Sequence, residues 1–233
     1  MDFRNKISLS EYNNNNYINN DLQTLIDNSQ HKDELTNKAE LYEKTLISNY
    51  LPENAKVLEL GGGWGSVSKI IQQKINNKNN HIIIEPENER ATKLIQHGYK
   101  VFNGIISNNV MWLEKKFVSR DIPTFNSQSI ENIINIEKLE KMNNIKFDTI
   151  IADCEGALPK IFKENPQLFK QIKFIQIEYD WYRPECTKFR NKLLSNGFIS
   201  KQKLPLHWTP SKGKGCFDEN KKIIGHEVLI KPI

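Results

Sequence analysis

Cysteine is scarce in this chain, and its few copies lie far apart. Cys154, Cys186 and Cys216 have no His or Cys at metal-ligand spacing. An odd, scattered set excludes a disulfide framework and a zinc ribbon, and reads as free thiols of a reducing compartment. No apolar run is long enough to span a bilayer. Met1-Asp2-Phe3-Arg4-Asn5-Lys6 leads into no apolar stretch of the signal type. A cytoplasmic chain without membrane attachment is expected. Nor does one sign of charge dominate: 33 Lys and Arg stand against 28 Asp and Glu, a net charge of +5. The lysines are spread along the chain, which describes a solvated surface better than a nucleic-acid groove.

Length and apolar content suit one domain with an N-terminal extension. Residues 1–30 are polar and hold Asn13-Asn14-Asn15-Asn16. They predict a partly disordered arm with a short helix at Leu22 to Ile26. Residues 31–233 form the domain. Lys32 to Tyr50 has helical spacing through Leu35, Ala39, Tyr42, Leu46 and Ile47, and Pro52 stops it.

The rest is organised around Val57-Leu58-Glu59-Leu60-Gly61-Gly62-Gly63-Trp64-Gly65-Ser66. A buried strand, Ala55 to Leu60, ends in glycines and is followed by the helical pattern Val67, Ile70, Ile71 and Ile75. Such a turn lets a ligand approach the backbone, with helix N–H groups aimed at it. The dinucleotide fingerprint G-x-G-x-x-G fits Gly61 and Gly63 but meets Ser66 at its third glycine. An acidic residue followed by alternate glycines fits fully: Glu59, Gly61, Gly63, Gly65. That pattern resembles the first motif of class I S-adenosylmethionine (SAM) methyltransferases. The plain alternative is a glycine turn with no ligand.

The second strand, His81 to Glu85, is closed by Pro86. An acidic residue here, about twenty residues past the turn, can accept bonds from both ribose hydroxyls. A helix Glu87 to His97 and a strand Tyr99 to Asn103 follow. Gly104-Ile105-Ile106-Ser107 reads as a loop passing the adenine ring. Val110 to Leu113 is a candidate strand, and Ile130 to Met142 a helix. Trp112 and Phe125 could line a pocket, but suit a core better. The fourth strand, Phe147 to Ala152, delivers Asp153-Cys154-Glu155-Gly156 to the same edge. A helix from Gly156 to Phe169 and a fifth strand, Ile172 to Ile177, lead to Glu178-Tyr179-Asp180-Trp181. After a helix Pro184 to Asn196, Phe198 to His207 and Ile223 to Ile230 predict a closing hairpin joined through Pro210 to Asn220.

Together, the Glu59 to Gly65 motif, Glu85-Pro86, Asp153-x-Glu155-Gly156 and Glu178 resemble the FkbM-type SAM-dependent methyltransferases. Ser129-Ile130-Glu131-Asn132-Ile133 is similar to that family's Thr-Leu-Asp-x-Leu segment, and the resemblance covers roughly residues 50–200. Two departures stand out. Gly62-Gly63 replaces a frequent Ala-Asn, and Leu158 replaces an acidic residue. The resemblance implies a Rossmann-like α/β fold with a seven-stranded, mostly parallel sheet, helices on both faces and an antiparallel final strand. It implies SAM as cofactor, held by Glu59, Gly61, Gly62, Gly63, Gly65, Glu85, Pro86, Gly104 and Ile105. It implies O-methylation of a glycan or small-molecule hydroxyl. The candidate catalytic residues are Asp153, then Glu155 and Glu178, with His207 from the hairpin. No metal site is assigned, although the same carboxylates could hold a divalent cation.

Two other readings stay open. An RNA ribose 2′-O-methyltransferase would use Lys-Asp-Lys-Glu, of which Asp153 and Glu178 supply half. The Pro-Pro-aromatic ending of base N-methylating enzymes is missing at Asp153 to Gly156. A non-catalytic binding module would keep the fold without needing the intact Glu59, glycines and Glu85.

Overall fold

The computed structural model describes residues 40–108, 132–205 and 213–232. The polar arm, the Leu22–Ile26 helix, the Val110–Leu113 strand, Trp112, Phe125 and His207 lie outside the described residues.

Four consecutive buried residues, Val57–Leu60, form strand β1. A run buried on both faces belongs inside a parallel sheet. β1 pairs in parallel with β2 (His81–Glu85) on one side and β6 (Thr149–Ala152) on the other. β3 (Val101–Asn103) extends the sheet beyond β2, and β7 (Phe174–Glu178) beyond β6. β11 (His226–Ile230) lies antiparallel between β7 and β8 (Ile199–Leu204). The order is β3, β2, β1, β6, β7, β11, β8. This is the seven-stranded, mostly parallel Rossmann-like sheet with an antiparallel closing strand that the resemblance implies.

Each face carries its own core, because alternate strand residues point to opposite sides. On one face α1 (Leu41–Tyr50) and α2 (Ser66–Lys74) bring Leu46, Ile47, Ile70 and Ile71 onto Val57, Ile151, Phe174 and Val228. The other core joins Leu58, Leu60, Ile150, Ile175 and Leu229 to four helices. These are α4 (Ile136–Asn143), α5 (Leu158–Glu164), α6 (Leu168–Gln171) and α7 (Arg183–Ser195). Helix α3 (Asn88–Gln96) packs along β2 and β3.

Four expected elements depart from the sequence reading. Gly104 to Ser107 is not a plain loop: β4 (Ile105–Ile106) pairs in parallel with β5 (Ile133–Ile134). The helix expected from Ile130 therefore starts only at Ile136. Asn135 sets that start, its side chain accepting from the Lys138 N–H at 2.8 Å. The helix expected from Gly156 to Phe169 is two, since Pro166 has no N–H to continue the first. The closing strands do pair, but Gly225 splits Ile223 to Ile230. β10 (Ile223–Ile224) turns back on β9 (Cys216–Phe217), and β11 enters the main sheet.

One buried ion pair clamps α7 to β11. Arg190, 1 % exposed, donates from Nε and Nη2 to the two carboxylate oxygens of Glu227, both at 2.8 Å. Tyr179 Oη donates to Glu227 Oε2 at 2.7 Å. Removing one partner leaves an uncompensated buried charge, which costs about 3–5 kcal/mol. Arg190→Met should lose that much stability in urea denaturation. Arg190→Met combined with Glu227→Met should recover most of it. A single variant as stable as the parent would show that the pair is not a clamp.

Candidate active site

The glycine turn is shaped by what crosses it. Gly61 has φ +86°, and a Cβ there would stand 1.8 Å from the Asp153 carbonyl oxygen. The Asp153 N–H donates to the Leu60 carbonyl at 3.0 Å, so the end of β6 runs against the turn itself. A Cβ on Gly62 would strike Ile83 at 2.4 Å, and one on Gly65 would strike Leu94 at 2.8 Å. Gly63 differs. Its φ is +53°, and nothing lies within 4 Å of where its Cβ would stand. Packing explains three of these glycines; the fourth faces open space.

Glu85, at the end of β2, reaches back to this turn. Its Oε2 accepts from the Gly63 N–H at 2.8 Å and its Oε1 from the Glu87 N–H at 2.8 Å. Pro86 ends the strand and lets the chain turn so that Glu87 can donate. Burial raises the Glu85 pKa, and the two N–H groups oppose that shift. Glu59 does something else. It is 1 % exposed, accepts from Ser68 Oγ at 2.8 Å and meets His81 Nε2 at 2.7 Å. It fastens β1 to α2 and β2 beneath the turn. Gly104 is likewise accounted for by packing, since its Cβ would come within 2.2 Å of the Asn132 carbonyl oxygen. Ile105 lies in β4, half-buried, two residues beyond the end of β3.

The acidic ends of β6 and β7 meet beside the turn. Asp153 opens to solvent on one side, and shares a hydrogen bond with buried Glu178. Loss of surrounding water, then the charge of Glu43, pushes Asp153 up to about 6. Burial, then Asp153 itself, holds Glu178 well above the carboxylate range. The pair therefore retains a proton more firmly than two separate carboxylates would. Exposed Glu155 bonds to buried Asp180 in a second such pair, and lies 3.9 Å from Lys214 Nζ. Glu155 has φ +48°, and Gly156 at φ +85° packs its Cα on Trp181. This kink delays α5 to Leu158, whose N-cap is Ala157, without a side-chain cap bond. Asp153 and Glu155 are thus not spent on capping that helix.

Sequence reasoning missed a third contributor, helix α1. Glu43 and Lys44 are buried there at 3 % and 1 % exposure. Glu43 Oε1 lies 3.1 Å from His226 Nδ1, and His226 is the β11 register partner of Glu178. Burial pushes Glu40 up to about 8, opposed by Lys44 at 3.8 Å. Glu43 shares a helical stripe with Leu46 and Ile47, and His226 alternates with Val228. A charged residue in an apolar register was the signal available.

No family model and no curated protein matches the chain. Solved structures resemble it as a fold. A Streptococcus agalactiae protein of the NADB-Rossmann superfamily is 13% identical, covering 81% of this chain and 67% of its own, with a TM-score of 0.48. A precorrin-6y C5,15-methyltransferase from Geobacter metallireducens is 14% identical over 88% and 95%, with a TM-score of 0.46. An O-methyltransferase from Bacillus cereus is 11% identical over 92% of each chain, with a TM-score of 0.45. Among the described residues no helix is long and apolar enough to cross a membrane.

The Glu59 geometry gives a prediction. Glu59→Leu strands Ser68 and His81 and should cost about 1–3 kcal/mol of stability. It should leave ligand affinity at the turn within a few-fold. A stable Glu59→Leu protein with abolished ligand affinity would return Glu59 to the binding face.

Proposed function

We propose that this chain is a SAM-dependent methyltransferase of the FkbM type that methylates a hydroxyl oxygen of a glycan or small molecule. The observation that carries the reading is Glu85, pinned by backbone N–H groups beside a turn whose Gly63 faces open space. A carboxylate accepts about four hydrogen bonds. Two are taken here, which leaves one lone pair on each oxygen for a pair of vicinal ribose hydroxyls. Gly63 leaves room for a ligand to lie against the backbone, and Pro86 and Ile105 offer apolar surface next to Glu85. These residues fit SAM. When bound, SAM supplies a methyl group made electrophilic by its sulfonium.

The chain's own contribution is placement and proton uptake. Alignment of an acceptor can lower a barrier by about 7–11 kcal/mol. Asp153 Oδ would take the hydroxyl proton, with Glu178 orienting it through their shared hydrogen bond. Glu155 stands at the open side, placed to meet acceptor hydroxyls.

Two tests follow. Gly63→Val puts a branched side chain into the open space at an unfavourable φ, and should abolish SAM binding in calorimetry. Glu85→Ala should weaken it roughly tenfold or more, since bonds to charged groups contribute about 1.5–3 kcal/mol. Folded variants that bind SAM like the parent would exclude this site. Asp153→Asn keeps shape but removes basicity. Labelled-methyl transfer to a glycan and small-alcohol panel should fall by ~10²-fold or more, with SAM affinity within a few-fold. Transfer at the parent rate would remove Asp153 from the chemistry.

A further inference from the structure

The ends of β7 and β11 and the middle of α1 enclose three side chains that share one kind of chemistry. Glu43, Glu178 and His226 are 3 %, 5 % and 0 % exposed. One ligand atom from each lies within 4.8 Å of the other two. They come from distant parts of the chain and converge only through the fold. Glu178 and His226 are direct register partners, and Glu43 descends from the helix above.

Two carboxylates and an imidazole form a mixed oxygen and nitrogen donor set. That set suits a divalent transition metal; magnesium would demand more oxygens and retain several waters. Two ligands on one zinc ion stand at most about 4 Å apart. The three donors therefore need to close by less than about an ångström, within reach of a side-chain rotation.

A second observation points the same way. Gln176 is 0 % exposed, and neither its amide nitrogen nor its amide oxygen has a hydrogen-bond partner. It lies on β7 two residues before Glu178, on the same face and under the same helix, with Val228 as its β11 partner. A buried amide with both ends unmet costs several kcal/mol unless something polar completes it. A hydrated cation at the neighbouring rung supplies such a partner through its bound water.

From this geometry we infer that Glu43, Glu178 and His226 bind a divalent transition-metal ion such as Zn²⁺ or Mn²⁺, behind Asp153 in the fold. The site does not depend on methyl transfer, and is tested without SAM. The unused coordination positions hold water, one of them within reach of Gln176.

The test uses the full chain, stripped with a chelator and titrated with ZnCl₂ or MnCl₂. The expected result is one ion per chain by calorimetry, with a rise in melting temperature. The electron paramagnetic resonance of the Mn²⁺-loaded parent should show coupling to one imidazole nitrogen. Losing a hydrogen-bonding partner of a metal ligand already costs about 10–100-fold in affinity. Glu43→Gln and His226→Gln should each cost at least that. Glu155→Gln on the open side and Cys154→Ser at a half-buried position, both outside this set, should bind like the parent. The proposal is overturned if the parent binds no ion at millimolar concentration, or if Mn²⁺ shows no nitrogen coupling. It is equally overturned if Glu155→Gln or Cys154→Ser weakens binding as much as Glu43→Gln does. The nitrogen signal is read on the parent, so poor folding of a variant does not remove the test.

Discussion

The backbone of Asp153 crosses the backbone of Gly61 with no room for a methyl group between them. That contact ties the glycine turn to the acidic ends of β6 and β7. β1 and β6 are parallel neighbours, so their carboxyl ends open at one edge, where open α/β sheets gather ligands. Only a glycine at 61 lets the two ends close on each other. Glu85 is then drawn onto the turn from β2, and Glu178 onto Asp153 from β7. β2 and β7 thus bring their last side chains, and β6 the residue just past its end, to the edge where the glycine turn follows β1.

The same closeness creates an electrostatic problem. Carboxylates gathered from α1, β6 and β7 face one another, Glu43 and Glu178 buried and Asp153 open to solvent on one side. Isolated buried charges of one sign are costly, and the groups respond by keeping protons or sharing them. The Asp153–Glu178 and Asp180–Glu155 hydrogen bonds are that response. A cation is the other available response. Either way the acidic edge is poised to exchange protons or positive charge with whatever enters. An inert core would have placed apolar side chains there.

The sheet and its ligand edge were legible because they are local. His81–Glu85 matches the expected strand at both ends, since its β-branched run and Pro86 leave no competing structure. The glycine turn and Glu85 follow from spacing alone. What escaped was non-local. Ile133 and Ile134 look helical until Ile105 and Ile106 are beside them. The spacing that puts Glu59 in the ligand motif does not show that its Oε2 also holds Ser68 and His81. Glu43 and His226 are nearly 200 residues apart in the chain, and only the packing of α1 across β7 and β11 makes them neighbours.

The two faces of the sheet answer the burial of charge differently. On the α7 side Glu227 has a bidentate arginine and a tyrosine hydroxyl, so its bonding capacity is nearly filled. One residue earlier on the same strand, His226 turns to the α1 side, among Glu43 and Glu178. There, among the described residues, acidic groups outnumber lysines, and Gln176 has both amide ends unmet. A fully satisfied network makes a structure rigid and specific; a partly satisfied one is tolerated where a ligand completes it. Adjacent residues of β11 thus turn to opposite faces, Glu227 bound to Arg190 and Tyr179, and His226 set against Glu43 beside its register partner Glu178.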